Sequence, residues 1–334
     1  MLHKDIQSAY EKWIKMIISG VFPCPVCNSA WSKFLLEKKG NNADEGSITL
    51  YSCAFCDTVY LGSDNQVEYD EQLYAYYEAY QGKNKEEIFN PLTRKSYCNV
   101  LRLFDVYGGG KSILDVGCGK GDFVDAAIDE GYNAEGIELS PLAVNIAQGF
   151  GLPVSNMDFF SSDIKDSSKD IVTMFEVIEH LSNPVHFLDR AAQVVKPGGL
   201  IYLTTPNFNS LDRRVLSVKW NAIHREHLVY FTPATLLKLI HKNTGLTVLH
   251  IESKNISSQL INHYKRIGDR FKIKRNDQYV SKIKQHKINS ESIDYIRIQI
   301  DKSPYMRFIK QSSNLLLNVT SLGSTIVILL RRRW

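Results

Sequence analysis

The run Ile113-Leu114-Asp115-Val116 passes directly into Gly117-Cys118-Gly119-Lys120-Gly121-Asp122-Phe123: an apolar stretch holding a carboxylate, then three glycines at alternate positions. Glycines so placed let the backbone turn tightly and approach a ligand without Cβ clashes. A helix starting just past them offers unsatisfied N–H groups to an anion. The segment therefore predicts strand, ligand-holding turn and helix, the opening unit of an α/β sheet. It is not the dinucleotide fingerprint G-x-G-x-x-G, because Asp122 stands where the last glycine belongs.

Downstream, short apolar runs alternate with helical patterns. Ala134–Leu139, a stretch near Leu152–Phe159, Asp170–Phe175, Leu200–Thr204, Leu246–Ile251 and Ser324–Leu330 read as strands. Phe123–Asp129, Pro141–Gly149, Val185–Val195 and a segment from Pro233, capped by Thr232, read as helices, and Pro197-Gly198-Gly199 reads as a turn. This alternation predicts a mostly parallel sheet covered on both faces. Five stretches are expected: a cysteine-bearing module over 1–65, a tyrosine-rich helical cap or linker over 66–110, the α/β core over 111–252, a basic helical insertion over 253–311, and the final strand of the core within 312–334.

At 334 residues with 44% hydrophobic and 23% charged residues, the chain has ordinary globular composition, which excludes a mainly disordered or collagen-like protein. The net charge of +4 is too small to point to nucleic acid. It is unevenly spread, with 14 Lys and Arg against 5 Asp and Glu between Ser253 and Gln311. Residues Met1 to Gly20 mix charge with apolar groups and do not form the continuous apolar stretch of a leader, so a cytoplasmic protein is expected. Leu315–Leu330 is apolar but interrupted by polar residues and shorter than the ~20 residues of a spanning helix, and is expected to be a buried strand with its lead-in.

The D-x-G-x-G-x-G loop after an apolar strand resembles motif I of the class I S-adenosylmethionine-dependent methyltransferases. The resemblance continues in order: Glu138 at the end of the second strand, Asp158-Phe159 after the third, Phe175-Glu176-Val177-Ile178-Glu179-His180-Leu181, and Val195-Lys196-Pro197-Gly198-Gly199-Leu200. The last two are similar to segments of the ubiquinone-type and sugar-type subgroups, and the match spans Lys111 to Ile251. It implies a Rossmann-like sheet of seven strands, mostly parallel with the last antiparallel, and S-adenosylmethionine as cofactor. Asp115, Gly117, Gly119 and Gly121 would hold its methionine end, Glu138 its ribose hydroxyls, and Asp158 and Phe159 its adenine.

Methyl transfer from a sulfonium needs alignment and exclusion of water, and no metal. A hydroxyl acceptor must also lose a proton, for which histidine, with a pKa of about 6.5, is suited. His180 follows the fourth strand at the carboxyl edge where such sheets bind ligands. His224-Arg225-Glu226-His227 lies ahead of Tyr230-Phe231-Thr232-Pro233. In an extended segment Glu226 and His224 share one side and His227 faces the other; in a turn they converge. Residues 223–232 resemble a Glu-His segment of sugar methyltransferases. In the deoxysugar C-methyltransferases of that group, residues matching His180, Glu226 and His227 lie at the active site, and a cysteine-bound zinc lies at the amino end. Two departures stand out: His224 replaces a tyrosine, and 334 residues leave no room for that subgroup's second α/β domain. The expected reaction is therefore O-methylation of a sugar or glycan precursor, nucleotide- or lipid-linked, with His180 or His227 as base. The plainer alternatives are a backbone-bonded His180 at a helix start, and Glu226 and His227 as a polar loop that only shapes the pocket. Glu176 is a lesser candidate for contact with cofactor or substrate.

Cys24-Pro25-Val26-Cys27 and Cys53-Ala54-Phe55-Cys56 are two C-x-x-C pairs 25 residues apart. Each supplies two thiolates to a tetrahedron, predicting a structural zinc in a zinc-ribbon-like module, with a hairpin tip through Lys38-Lys39-Gly40-Asn41-Asn42. Four thiolates leave no open position for catalysis, and disulfides are disfavoured in a reducing cytosol.

Tyr69, Tyr74, Tyr76, Tyr77 and Tyr80 are read as packing at helical spacing, where related methyltransferases cap the cofactor pocket. The basic insertion, with Lys265, Arg266, Arg270, Lys272, Lys274 and Arg275 beside Ile261, Tyr264, Ile267 and Phe271, reads as a solvated helix. Alternatively it holds a diphosphate-linked acceptor or touches an anionic membrane surface peripherally; no nucleic acid is expected. Two rival functions stand beside the sugar reading: O-methylation of an aromatic or quinone-type small molecule, and a catalytically silent cofactor-binding scaffold.

Overall fold

The computed structural model describes residues 23–39, 47–62, 77–80, 82–242, 245–264 and 304–334. Residues 1–20, the hairpin tip Gly40-Asn41-Asn42, Tyr69, Tyr74 and Tyr76, and the basic stretch from Lys265 to residue 303 lie outside them.

The amino-terminal part is an antiparallel sheet of β1 (Ser32–Lys39), β2 (Ser47–Cys53) and β3 (Val59–Leu61). The larger sheet contains β4 (Ser112–Val116), β5 (Asn133–Glu138), β6 (Val154–Asn156), β7 (Lys169–Phe175) and β8 (Val195–Pro206). A two-residue strand β9 (Val229–Tyr230) follows, then β10 (Leu246–Lys254) and β11 (Thr325–Arg332). Strand order is β10-β11-β8-β7-β4-β5-β6. The pairs from β8 to β6 are parallel, and β11 inserts antiparallel between β8 and β10. This is the expected seven-stranded Rossmann-like sheet with its last strand reversed. β9, although it falls within 111–252, completes the amino-terminal sheet by pairing with β3.

Both faces of the large sheet are buried, and the period of two in each strand decides which residue goes where. Ile113, Ile171, Leu200, Val327 and Leu329 face one core with Phe104 and Phe123, and Leu114, Val172, Ile201, Ile326 and Ile328 face the other with Leu188 and Leu236. The covering helices are α1 (Pro91–Val106), α2 (Asp122–Asp129), α3 (Pro141–Gly149), α4 (Pro184–Val194), the short α5 (Leu211–Leu216), α6 (Pro233–Ile240) and α7 (Pro304–Val319). Four of them start alike: Asn90, Ser140, Asn183 or Thr232 caps a backbone N–H with its side chain, and proline takes the first helical turn, where no donor is needed. No helix among the described residues is long and apolar enough to cross a membrane.

Three local expectations change. The third strand is only Val154–Asn156, because Phe159 turns into the core beyond it. Pro197-Gly198-Gly199 is not a turn: it lies within β8 as a bulge, so that Lys169 faces Val195 while Ile171 faces Leu200. Of Leu315–Leu330, only the part from Thr325 is strand; Leu315 to Val319 completes α7, with Leu315 66% exposed.

Chain order reverses at β4, which has β5 on one side and β7 on the other. Open α/β sheets bind ligands outside the carboxyl ends of the strands at such a switch point. Gly117 and Glu176, the residues just after β4 and β7, stand there.

Candidate active site

The glycine loop leaves β4 with Gly117, Gly119 and Gly121 all at positive φ (68°, 56° and 86°). All three also lack room for a Cβ, which would lie 2.8 Å from Val177 at Gly117, 2.9 Å from the Tyr77 hydroxyl at Gly119 and 2.7 Å from Leu152 at Gly121. Tyr77, buried against the loop, and Tyr80 are the described part of the expected tyrosine cap. The Glu138 carboxylate braces the turn by accepting from Gly119 N–H and Ser140 N–H, each at 2.9 Å. A carboxylate has about four lone-pair sites, so two remain for a diol.

Asp115 is buried and accepts a 2.6 Å hydrogen bond from the Thr173 hydroxyl. Burial, with the charges of Glu138 and Asp122 nearby, pushes its pKa up to about 7. The structure thus gathers Asp115, Gly117, Gly119, Gly121 and Glu138 around one turn.

Asp158 is exposed and accepts from Phe160 N–H at 2.7 Å. Phe159 is only 3% exposed and packs on Phe187, with ring centroids 4.9 Å apart. It therefore offers its face to the core, whereas Phe160, 42% exposed and stacked on His186 at 4.6 Å, is the outward ring.

A cluster of histidines forms beyond β7. Val177, whose side chain lies over Gly117, leads into the 3₁₀ turn Ile178–His180. His180 Nδ1 is 2.9 Å from the Glu226 carbonyl oxygen, and His227 Nδ1 is 2.8 Å from that of Ala222. Both carbonyls require Nδ1–H, so Nε2 is the basic nitrogen of each ring. The segment 224–227 is a turn, so His180 and His227 meet with ring centroids 4.7 Å apart, and His224 lies 3.8 Å from His227. Glu226 joins through its backbone carbonyl. Burial lowers all three imidazole pKa values, His224 to about 4 with help from His180 and Lys38, and His227 to about 2 with help from His224 and His180. The rings are neutral at pH 7. Burial raises the Glu226 carboxyl.

One residue escaped the sequence reading. Glu179 is 1% exposed, and neither carboxylate oxygen has a hydrogen-bond partner among the described residues. Its Oε1 is 4.0 Å from His227 Nε2. Burial and the neighbouring Glu176 hold its pKa well above the ordinary carboxyl range. Glu176 itself adopts φ 54°, a left-handed backbone uncommon outside glycine. The only signal in the sequence was Glu-x-x-Glu-His, which does not say which carboxylate is buried.

Cys24, Cys27, Cys53 and Cys56 carry free thiols whose sulfurs all lie within 4.8 Å of one another. Cys24 to Cys56 is 3.5 Å and Cys27 to Cys53 is 3.4 Å. Sulfurs about 2.3 Å from a tetrahedral zinc sit about 3.8 Å apart, so the set fits that ion. Each pair is followed by a left-handed residue, Asn28 (φ 58°) or Asp57 (φ 62°), that closes the knuckle. Burial opposes ionisation of Cys53, yet hydrogen bonds from the backbone at Cys56 and Phe55 bring it down to about 7. The knuckles are tied to the histidine loop: β3 pairs with β9, Leu61 N–H donates to Leu228 O (2.9 Å), and Lys38 Nζ donates to Ile223 O (2.6 Å).

Residues 91–251 match the family described as "Methyltransferase domain". The ubiquinone biosynthesis O-methyltransferase of Vibrio parahaemolyticus is 28% identical over 182 residues, covering 50% of this chain and 73% of that protein. Its counterpart from Vibrio atlanticus is 28% identical over 160 residues, 42% and 67% of the two chains. A solved S-adenosylmethionine-dependent methyltransferase from Archaeoglobus fulgidus is similar at a TM-score of 0.48 and 18% identity, covering 78% of this chain and all of that one. Family match over residues 91–251, relatives and the glycine turn at the sheet's switch point agree: the chain carries an S-adenosylmethionine-dependent methyltransferase domain.

Proposed function

We propose that the protein O-methylates a hydroxyl of a polar, sugar-type acceptor, nucleotide- or lipid-linked. The observation that carries this reading is the convergence of His180 and His227 beside the turn that follows Gly117. When bound, S-adenosylmethionine supplies an electrophilic methyl group on a positively charged sulfur. Asp115, Gly117, Gly119, Gly121 and Glu138 hold the cofactor, its ammonium answering the buried Asp115 and its ribose the Glu138 carboxylate. Asp158 and the outward ring of Phe160 border the adenine. Neutral imidazoles with Nδ1 engaged present Nε2 as proton acceptor, and burial keeps water from competing. His180 takes the acceptor proton, while His227 and Glu226 orient it. A polar wall of three histidines suits a polyol better than an apolar ring. The excess positive charge of 253–311 would draw a diphosphate or an anionic surface. The four cysteines hold a structural zinc that supports the histidine loop.

A second reading, O-methylation of an aromatic hydroxyl, is favoured by the relatives, which are ubiquinone biosynthesis O-methyltransferases. Incubation with labelled S-adenosylmethionine and parallel panels of nucleotide sugars and dihydroxyaromatics, followed by mass spectrometry of the methylated position, separates the two. Label on a sugar oxygen is expected; label confined to the aromatic panel overturns the sugar reading.

A further inference from the structure

Glu179 presents an energetic problem. A carboxyl group with both oxygens unpartnered at 1% exposure is costly to bury, ionised or neutral, unless something answers it. The groups nearest to it are Glu176, another carboxyl; the Thr205 hydroxyl, which is also buried and makes no hydrogen bond of ordinary geometry; and His227 Nε2, an acceptor in the tautomer that Ala222 O imposes. The groups facing the cluster from other elements are His224, Glu226 and, from the cysteine-bearing hairpin, Lys38.

The missing partner has the features of a metal ion. Glu179, His180 and His227 each bring one ligand atom within 4.8 Å of the other two. Both histidines have Nδ1 on a backbone carbonyl, Glu226 O and Ala222 O. Metal-binding histidines are commonly oriented in this way, since the outer hydrogen bond fixes the tautomer and makes the inner nitrogen more basic. Two imidazoles and one carboxylate suit a divalent transition cation and leave coordination positions open. Hard cations such as magnesium prefer an all-oxygen set.

We infer that Glu179, His180 and His227 form a second metal site, separate from the cysteine cluster, for a divalent first-row transition cation. It shares its histidines with the proposed acceptor site, and with a cation bound their Nε2 atoms would serve as ligands in place of accepting a proton. The Glu179 carboxylate is then paired, and the crowding with Glu176 is relieved.

Cobalt(II) titration of the metal-stripped full chain tests this without any acceptor. Thiolate-bound cobalt shows intense sulfur-to-metal charge-transfer absorption, whereas a nitrogen and oxygen site shows only weak ligand-field bands. The expected result is a cobalt equivalent that adds no charge-transfer absorption, is lost in both Glu179→Gln and His227→Gln, and leaves the thiolate signal intact as a control for folding. Its absence from the wild-type protein, or its survival in either variant, overturns the assignment. Either outcome is independent of the acceptor assays, so the metal site and the acceptor reading fail separately.

Discussion

Lys38, on the cysteine-bearing hairpin, donates a 2.6 Å hydrogen bond to the carbonyl of Ile223, at the start of the histidine loop. A bond across 185 residues, with the β3–β9 pairing, joins the cysteine module to the histidine loop. Leu228 N–H completes the junction by donating to Glu179 O at 2.8 Å.

Replacing that lysine is expected to loosen the loop without touching the cofactor turn. A hydrogen bond from a charged donor contributes about 1.5–3 kcal/mol. Lys38→Met should therefore lower kcat by roughly tenfold or more, with cofactor Kd from calorimetry unchanged. A matching loss of cofactor affinity would show that the module does not act through the loop.

Metal removal from the cysteines should act locally. Cys53→Ser is expected to abolish one equivalent of bound zinc and to add an early, separate unfolding step, because structural zinc contributes folding energy directly. A single unshifted melting transition would contradict this.

Gly119→Ala is expected to weaken cofactor binding more than tenfold in calorimetry. The left-handed backbone costs a Cβ-bearing residue about 1–2 kcal/mol, and the new methyl meets the Tyr77 hydroxyl at 2.9 Å. Unchanged affinity would place the cofactor elsewhere.

Asp115 makes cofactor binding and stability pH-dependent in opposite senses. Its folded pKa, about 7, lies above the ordinary aspartate value of 3.8. Its contribution to the stability of the cofactor-free protein is thus fully present below about pH 4 and is lost as pH rises through 7. In that window wild-type stability should fall, relative to Asp115→Asn, by about 1 kcal/mol per pH unit. The cofactor ammonium needs the ionised form, so affinity should rise from pH 5.5 to 7.5 with proton release. Calorimetry in buffers of different ionisation enthalpy reads that proton; zero release, or release retained in Asp115→Asn, counts against the pairing.

His180→Ala is expected to lower kcat by about 10²–10⁴ with cofactor Kd unchanged, the loss typical of a missing general base. A change confined to KM would make His180 a positioning residue only.

The glycine turn, the capped proline entry at Thr232-Pro233, the alternating strands and the two cysteine pairs were legible in the chain itself. Each depends on a few consecutive residues, whose torsions, periodicity or ligand spacing carry the information. Three features were not legible: the inward turn of Phe159, the bulge at Pro197-Gly198-Gly199, and the burial of Glu179 rather than a solvent-facing carboxylate. All three depend on what the rest of the chain packs against them. Glu179 meets His227 only because β9 pairs with β3, some 170 residues earlier, and brings the histidine loop over the end of β7. No local propensity encodes that meeting, since its free energy is shared among the register of β3 with β9, the Lys38 bond and the burial of both loops. The sequence by itself determined a Rossmann-like methyltransferase sheet and the glycine turn after β4. Only the tertiary structure decided which side chains face one another across the acceptor side.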